Sequence, residues 1–141
     1  METDSSFTII GEPVPKGRPK FAVRGGYAIV YTPKKTRNNE KDLRAQMLPY
    51  RPEKPLTSPV SLTFEFYFSP PKSLRKWEKE LVKAEKLPKV SRPDLDNLAK
   101  QLTDAMMGIF FADDNLIYKI SASKWYSDRP RIQVSISEMK E

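Results

Sequence analysis

Four aspartates and one lysine within the stretch 91–115 form a candidate set for hydrolytic chemistry. Asp94, Asp96 and Lys100 lie close together in the sequence, and Asp113 and Asp114 follow after a short apolar run. Carboxylates that cluster repel one another and raise each other's pKa unless a cation lies between them, so such a cluster is typical of metal or proton chemistry. Lys100 alone supplies too little positive charge for the set. We therefore predict an active site in this stretch.

A helix beginning near Asp94 is predicted to carry the first three of these side chains. At about 100° per residue its apolar positions form one stripe that comprises Leu95, Leu98, Ala99, Leu102, Ala105 and Met106. Asp94 suits the N-cap and Gly108 a helix stop. Asp96 and Lys100, four residues apart, are predicted neighbours on the helix surface. Asp94 can join Asp96 only from a non-helical cap position, and a returning strand is expected to bring Asp113 and Asp114 back to them.

Each of these features also has an ordinary structural explanation. Asp94 could serve only as a cap, and Asp96 with Lys100 could form only an ion pair worth about 0.3–0.5 kcal/mol. Asp113 and Asp114 could form only a polar turn. Their combination, in a basic chain that lacks other catalytic residue types, favours the active site.

The composition narrows the chemistry of that site. The chain has no cysteine and no histidine, which excludes thiolate zinc sites, Ser-His-Asp and Cys-His nucleophile systems and histidine general-base catalysis. Carboxylates, lysine and a hard, oxygen-preferring cation such as Mg²⁺ or Mn²⁺ remain. No apolar run approaches the length of a membrane span or signal peptide, so we expect a cytoplasmic protein with no membrane partner.

A net charge of +7 over 141 residues indicates a polyanionic partner, with nucleic acid as the leading candidate. Three basic segments are candidates for contacting its phosphates: a proline-rich loop, the helix after it and the region before Asp94. A solvated surface is the ordinary alternative for all of them. The candidate DNA-binding residues are Lys16, Arg18, Lys20, Lys34, Lys35, Arg37, Lys72, Arg75, Lys76, Lys89 and Arg92.

The remaining patterns predict one domain over 1–141 of the α/β class (α+β type), with a mixed sheet and helices packed on it. Residues 1–5 are expected to fray before a strand over 7–10, and Gly25-Gly26 predicts a hairpin between 20–24 and 27–31. A helix follows Thr32-Pro33, residues 60–68 form a central strand, and 73–86 form a basic helix capped by Ser73. Trp77 is expected to dock that helix rather than to stack on a base. Residues 116–126 and 131–137 are predicted to pair as a final hairpin.

The motifs around the acidic residues resemble those of the RusA family of Holliday-junction resolvases, which prophages often carry. The specific part is D-L-D-N-L-x-K, followed by a helix, a glycine and D-D about thirteen residues after the lysine. A P-x-P-K-G-R-P segment near the N-terminus adds weaker support. The resemblance covers residues 70–115 well and residues 11–18 loosely, and it extends to the closing hairpin.

This resemblance implies an Mg²⁺-dependent, homodimeric endonuclease that makes paired nicks in a four-way DNA junction, with Mn²⁺ as a substitute metal. The family's metal ligands and catalytic residues fall on Asp94, Asp96, Lys100 and Asp114, and Asp113 and Asn97 also match the motif. Two alternatives stay open. One is a non-catalytic DNA-binding or architectural protein, and the other is a less selective Mg²⁺ nuclease acting on flaps or nicked duplex.

Overall fold

The computed structural model describes the backbone of residues 2–14, 20–24, 27–31 and 34–139, and the side chains of 4–14 and 39–139. These residues form six strands and three α-helices. The strands are β1 (Glu2–Ile10), β2 (Lys20–Arg24), β3 (Tyr27–Tyr31), β4 (Val60–Phe68), β5 (Ile117–Tyr126) and β6 (Arg131–Met139). The helices are α1 (Lys34–Met47), α2 (Lys76–Lys83) and α3 (Leu95–Met106).

Strand β4 is the interior strand that its alternating sequence predicts. The main sheet has the order β1-β6-β4-β5, and β4 pairs antiparallel with β6 and parallel with β5. Alternate side chains of β4, from Val60 through Phe64 to Phe68, are buried on one face. Because apolar side chains repeat with a period of two, that face of the strand must be covered, and the helices cover it.

The predicted hairpin between the last two strands is wrong. β5 and β6 are antiparallel in direction but do not touch as neighbours, because β4 lies between them. The turn over 127–130 instead crosses the end of β4, where the Ser127 N–H donates to the Phe68 carbonyl at 2.9 Å. β4, with its apolar side chains facing the core, lies between the two strands. The short sequence of the turn over 127–130 cannot reveal that a third strand separates β5 from β6.

The N-terminal part of the chain differs from its prediction in one respect. Residues 2–5 do not fray, since β1 pairs with β6 from Glu2 to Ile10. β2 and β3 form the predicted antiparallel pair, while the Gly25-Gly26 turn lies outside the described residues. Helix α1 follows as predicted, and the proposed cap at Thr32 and Pro33 also lies outside them.

Helices α1 and α3 close the core over the buried face of the sheet. Leu43 and Met47 of α1 share one cluster with Leu98 and Leu102 of α3 and the apolar side chains of β4. Phe7 stacks on Phe110 with ring centroids 5.1 Å apart. The apolar stripe of α3 thus faces inward, as its periodicity predicts, and the polar side chains of this helix are left at the surface.

Helix α2 is shorter than predicted and docks through a different residue. It begins after Arg75 rather than Ser73, with the Glu78 carboxylate accepting the Arg75 N–H at 2.9 Å. Val82 is 3% exposed and anchors the helix, whereas Trp77 is 55% exposed. The prediction that Trp77 docks α2 is therefore wrong: helical spacing alone does not say which edge of an apolar stripe turns inward.

An ion pair ties the turn after α2 to the sheet. Arg131 donates to both carboxylate oxygens of Glu85, at 2.6 and 2.9 Å, and the Ser127 hydroxyl donates to the same group at 2.6 Å. The Arg131 guanidinium also lies 4.1 Å from the Tyr67 ring centroid. These hydrogen bonds, Arg131's first, lower the pKa of Glu85 to about 2, and burial, aided by Glu65, raises the pKa of Tyr67 to about 12.

The described helices are modest in length, the longest being α1 with 14 residues. A membrane-spanning helix needs about 20 predominantly apolar residues. None of the helices in the described ranges is both long and apolar enough to cross a membrane.

Candidate active site

Helix α3 presents three of the predicted site residues on its solvent side. Leu98, Leu102 and Met106 are buried, while Asp96 and Lys100 are exposed, as is Asp94 immediately before the helix. The helix begins at Leu95 with Asp94 at the N-cap, and its first hydrogen bond runs from the Leu98 N–H to the Asp94 carbonyl. The sequence thus predicts both the start of this helix and the side from which the acidic residues project.

Asp94 occupies the N-cap position without acting as a cap. Its backbone is extended, with φ −68° and ψ 140°, and its side chain accepts no capping hydrogen bond from the helix. The Arg92–Pro93 peptide bond before it is cis. A carboxylate that served only as a cap would accept an N–H of the first turn. The Asp94 carboxylate is instead left for other partners, and one oxygen of Asp96 accepts the neighbouring Asn97 N–H at 3.0 Å.

Lys100 pairs with an acidic residue other than the predicted one. Its ammonium lies 3.0 Å from a carboxylate oxygen of Asp104, one turn further along the helix, rather than beside Asp96. The hydrogen bond to Asp104, then the charge of that group and that of Asp114, raise the pKa of Lys100 above its ordinary value. Both carboxylates thus favour the charged form of the Lys100 ammonium.

Two buried aromatic residues hold the acidic turn that follows α3. Phe110 and Phe111 are almost completely buried. The backbone on either side of them is hydrogen-bonded to Leu56, whose N–H donates to the Phe110 carbonyl at 2.8 Å and whose carbonyl accepts the Ala112 N–H at 2.9 Å. This anchored turn leads directly into the next residues, Asp113 and Asp114.

Asp113 and Asp114 have different local roles. The Asp113 carboxylate accepts the Asn115 N–H at 3.0 Å and so caps a single 3-10 turn over Asp114–Leu116. This hydrogen bond from the Asn115 backbone holds the pKa of Asp113 below its ordinary value. Both side chains are exposed, and the charge of Asp114 contributes to the raised pKa of Lys100.

The donor set suits a hard divalent cation, since it consists of exposed carboxylates, the ligands that Mg²⁺ and Mn²⁺ prefer. Asp94, Asp96 and Asp114 lie in three separate local settings: the cap of α3, its first turn and the turn before β5. Within the described residues no three acidic, histidine or cysteine side chains already converge at metal-binding distance. The carboxylates thus fit such a cation in chemistry and exposure, and their roles as ligands stay a prediction.

The predicted DNA-binding residues divide into three groups. Lys72, Arg75 and Lys76 are exposed at or just before the start of α2, and Arg92 is exposed in the segment that leads into α3. Lys89 is partly buried, with its ammonium 5.1 Å from the ring centroids of both Phe68 and Tyr126. The other six fall where side chains are not described: Lys16 and Arg18 lie outside the described backbone, and Lys20, Lys34, Lys35 and Arg37 lie on β2 and α1.

Two residues near the site are absent from the set that the sequence predicts. Asp104 is four residues beyond Lys100 on the same helix, so the i,i+4 rule could have found it. Lys124, on β5, donates to the carbonyls of Ser91 and Pro93 at 2.8 Å each, directly before Asp94. No local sequence pattern predicts the contacts of Lys124, because they join residues more than thirty positions apart.

Comparisons with known proteins agree with the resemblance of the acidic motifs. A family model described as "Endodeoxyribonuclease RusA" matches residues 11–137. The chain is 36% identical over 135 residues to "Uncharacterized protein YqaN" of Bacillus subtilis (strain 168), covering 94% of this chain and 95% of that protein. It is 31% identical over 104 residues to "Crossover junction endodeoxyribonuclease rusA" of Lactococcus phage r1t, covering 72% of each.

Proposed function

The chain belongs to the endodeoxyribonuclease RusA family, and from that membership we propose that it is a divalent-metal-dependent endonuclease that resolves four-way DNA junctions by paired nicks. The observation that carries the proposal is the setting of the family motif. Asp94 lies at the helix cap without capping, Asp96 and Lys100 lie on the exposed side of α3, and Asp114 acts on Lys100 electrostatically. The whole of 1–141 would form one such domain, acting on DNA in the cytoplasm.

Asp94, Asp96 and Asp114 are the residues that would hold the metal, with Asp113 as a further candidate. When bound, Mg²⁺ or Mn²⁺ supplies Lewis-acid activation of water and neutralises charge that builds on the scissile phosphate. The chain's own contribution is to present these carboxylates to solvent on a rigid helix and an anchored turn. Neither Asp94 nor Asp114 is occupied by an ion pair with Lys100, whose partner is Asp104.

Lys100 would stabilise the negative charge of the phosphoryl transition state or of the leaving oxygen. This role requires a protonated ammonium close to the carboxylates but not neutralised by them. Asp104 provides that situation, because it keeps the pKa of Lys100 raised and draws the ammonium to the C-terminal side of Asp96. A preorganised cation of this kind favours the transition state, in which charge develops, over the ground state.

The DNA would lie across the basic segment that precedes the site. Residues 72–92 contain eight lysines and arginines and three glutamates, so they carry a net charge of +5 out of the chain's +7. One of those glutamates, Glu85, is neutralised internally by Arg131. Contacts from this surface to phosphates would release counterions and give binding that weakens steeply with salt.

A homodimer accounts for paired nicks. The two strands cut in a four-way junction are related by a two-fold axis, and a two-fold dimer presents two identical sites with the same symmetry. The proposal therefore predicts an elution volume or scattering mass of two chains, and one active site in each chain.

The test is cleavage of a labelled synthetic four-way junction beside a linear duplex of matched sequence, with Mg²⁺ or with EDTA. The expected result is symmetric paired nicks in the junction only, abolished by EDTA and by Asp96→Asn under single-turnover conditions. Asp128→Asn is the matched control, since Asp128 is an exposed aspartate in the turn between β5 and β6 and should leave the rate unchanged.

Other outcomes would point to the alternatives. Tight junction binding without metal-dependent cleavage would indicate a DNA-binding protein, and the acidic residues would then be caps and turns. Comparable cleavage of flaps or nicked duplex in competition would indicate a less selective nuclease. Cleavage by Asp96→Asn at the wild-type rate would overturn the assignment of the site.

A further inference from the structure

The segment that leads into α3 is attached to the edge of β5. The Tyr126 N–H donates to the Leu87 carbonyl at 3.0 Å, and the Lys89 N–H donates to the Lys124 carbonyl at 3.1 Å. Pro88 lies opposite Trp125 in an isolated antiparallel bridge. This backbone pairing ends at Lys89, so it cannot by itself fix residues 90–94, which carry the chain to the first aspartate of the site.

The Lys124 side chain binds the segment beyond the point where the backbone pairing ends. Its ammonium donates two hydrogen bonds of 2.8 Å, one to the Ser91 carbonyl and one to the Pro93 carbonyl. An ammonium has three donors, and two of them are used on main-chain oxygens within three residues of each other. In the described part of the chain, no carboxylate lies within ion-pairing distance of Lys124. Its charge is thus committed to the backbone directly before Asp94.

A second lysine supports the same segment from the side. The Lys89 ammonium donates to the Ser91 hydroxyl at 2.9 Å, and that hydroxyl lies 3.4 Å from the Tyr126 hydroxyl. The same ammonium lies over the rings of Phe68 and Tyr126. Ser91 is therefore held through its side chain by Lys89 and through its carbonyl by Lys124.

The conformation that these contacts fix is the one on which the proposed metal site depends. In a regular helix, residues two positions apart point to opposite sides, so Asp94 and Asp96 can face one cation only if Asp94 stays outside the helix. Asp94 is extended, and no capping hydrogen bond from its own side chain holds it there. The two carbonyls bound by Lys124 lie one and three residues before Asp94, so Lys124 constrains the backbone that leads into it.

We propose that Lys124 is a positioning residue of the active site: by binding the carbonyls of Ser91 and Pro93, it holds Asp94 extended so that its carboxylate and that of Asp96 can share one divalent cation. The inference rests on the proposed function. It differs from a direct role in cleavage, because Lys124 acts through the backbone before Asp94. It also differs from a phosphate contact, because two of the three ammonium donors of Lys124 are already bound to carbonyls within the protein.

The test compares Lys124→Met, which keeps the length of the side chain and removes its donors, with Lys124→Arg, which keeps a cation and donors. Lys119→Met is the matched control, because residues 119 and 124 are an odd number apart on β5 and so project from opposite faces of the sheet. Mn²⁺ binding to the protein without DNA is measured from the paramagnetic resonance signal of free Mn²⁺. The Mg²⁺ concentration for half-maximal junction cleavage is measured in parallel.

We expect Lys124→Met to weaken Mn²⁺ binding about tenfold and to raise the half-maximal Mg²⁺ concentration by a similar factor, as is typical when a group that orients metal ligands is removed. The rate at saturating Mg²⁺ should return to within about threefold of wild type, because the ligands themselves remain. Lys124→Arg should recover part of the affinity, and Lys119→Met should match wild type. A phosphate-contacting lysine would instead weaken junction binding and leave Mn²⁺ binding unchanged.

Unchanged Mn²⁺ affinity in a folded Lys124→Met protein overturns the inference. If that variant does not fold, Lys124→Gln replaces it in the Mn²⁺-binding measurement. The wild-type protein provides a second test, because the ammonium protons of Lys124 should exchange slowly with solvent in nitrogen-detected NMR spectra. Fast exchange would contradict the two hydrogen bonds. Failure of the inference stays separable from failure of the proposed function. If only the inference fails, the wild-type protein binds Mn²⁺, Asp96→Asn does not, and Lys124→Met behaves as wild type. If the proposed function fails, the wild-type protein neither binds metal nor cleaves, and the inference about Lys124 fails with it.

Discussion

Lys100 and Asp104 form an ion pair with 3.0 Å between nitrogen and oxygen, one turn apart on helix α3. The Asp104 side chain is 22% exposed and the Lys100 side chain 62%, so the acid is the more buried partner. Asp96 is equally distant from Lys100 in sequence, on the other side, but is not its partner. The lysine of the family motif thus pairs with Asp104 rather than with Asp96.

Asp104→Asn should lower the pKa of Lys100. The pKa of Lys100 is raised mainly by its hydrogen bond to Asp104, so removing the negative charge moves it back down. Lys100 stays protonated at neutral pH in both proteins, and the difference is confined to alkaline pH. The measurement is a carbon NMR titration of the Lys100 side chain.

The control for this prediction is Glu80→Gln, which removes an exposed glutamate whose ion-pair partner is Lys83 at 3.6 Å. It should leave the titration of Lys100 unchanged. A midpoint for Asp104→Asn equal to that of wild type would show that the ion pair does not persist in solution.

Phe111→Ala should destabilise the protein and the acidic turn together. Phe111 is fully buried, and the loss of a buried phenylalanine side chain costs about 3–5 kcal/mol through reduced burial and the cavity left behind. The adjoining backbone pairs with Leu56 and leads directly to Asp113 and Asp114. Urea unfolding gives the free energy, and junction cleavage below the unfolding transition should also fall.

The comparison for Phe111 is Tyr118→Ala, a substitution of a residue that is 50% exposed at the start of β5. It should cost less than about 1 kcal/mol, as is usual for surface positions. Equal costs for the two substitutions would contradict the anchoring role of Phe111.

The patterns within single elements predict much of this molecule, and contacts between distant elements account for what they miss. A period of 3.6 residues predicts the apolar stripe of α3, and a period of two predicts the alternation of β4. In both elements the positions that these periods mark as apolar are buried or partly buried against the core. The hairpin of β5 and β6 fails because a strand from earlier in the chain separates them.

The site shows the same limit. The positions of Asp94 and Asp96 follow from the helix boundary, but the choice of Asp104 over Asp96 by Lys100 does not, because residues at i−4 and i+4 are equally close on a helix. Lys124 could not be predicted at all. Its contact depends on the edge of β5 lying beside the segment before α3, which no spacing in the sequence records.

Glu85→Gln should weaken the protein at neutral pH and much less in acid. The pKa of Glu85 is about 2, below its ordinary value, chiefly because Arg131 hydrogen-bonds the charged form. A depressed carboxyl pKa contributes stability that is present above the unfolded-state pKa and lost as pH falls towards the folded-state value. After allowance for partial solvent screening, we expect a cost of about 1–2 kcal/mol at pH 7.

Urea unfolding at pH values from 7 to 2.5 measures this effect. The gap in free energy of unfolding between wild type and Glu85→Gln should be constant above about pH 5 and shrink below about pH 4.5. Glu53→Gln, at an exposed position, serves as the control and should cost less than about 0.5 kcal/mol at any pH. A gap that is the same at both ends of the range would contradict the ionised pair.

The double substitution Arg75→Gln with Lys76→Gln should weaken junction binding and flatten its salt dependence. Both side chains are exposed at the start of α2, next to the exposed Trp77, in the segment that carries most of the net charge. For each phosphate contact that the double variant loses, the slope of log affinity against log salt should become less steep by about 0.9. Fluorescence anisotropy of a labelled junction in EDTA, at several salt concentrations, measures binding without cleavage.

The matched control replaces Lys54 and Lys119 by glutamine, which removes the same charge from two exposed positions outside this segment. A general effect of net charge would lower the affinity of both double variants equally, whereas a contact surface on α2 lowers the slope only for Arg75 and Lys76. If the two slopes fall together, the basic segment before the site attracts DNA only through its overall charge, and the phosphate contacts must lie elsewhere on the protein.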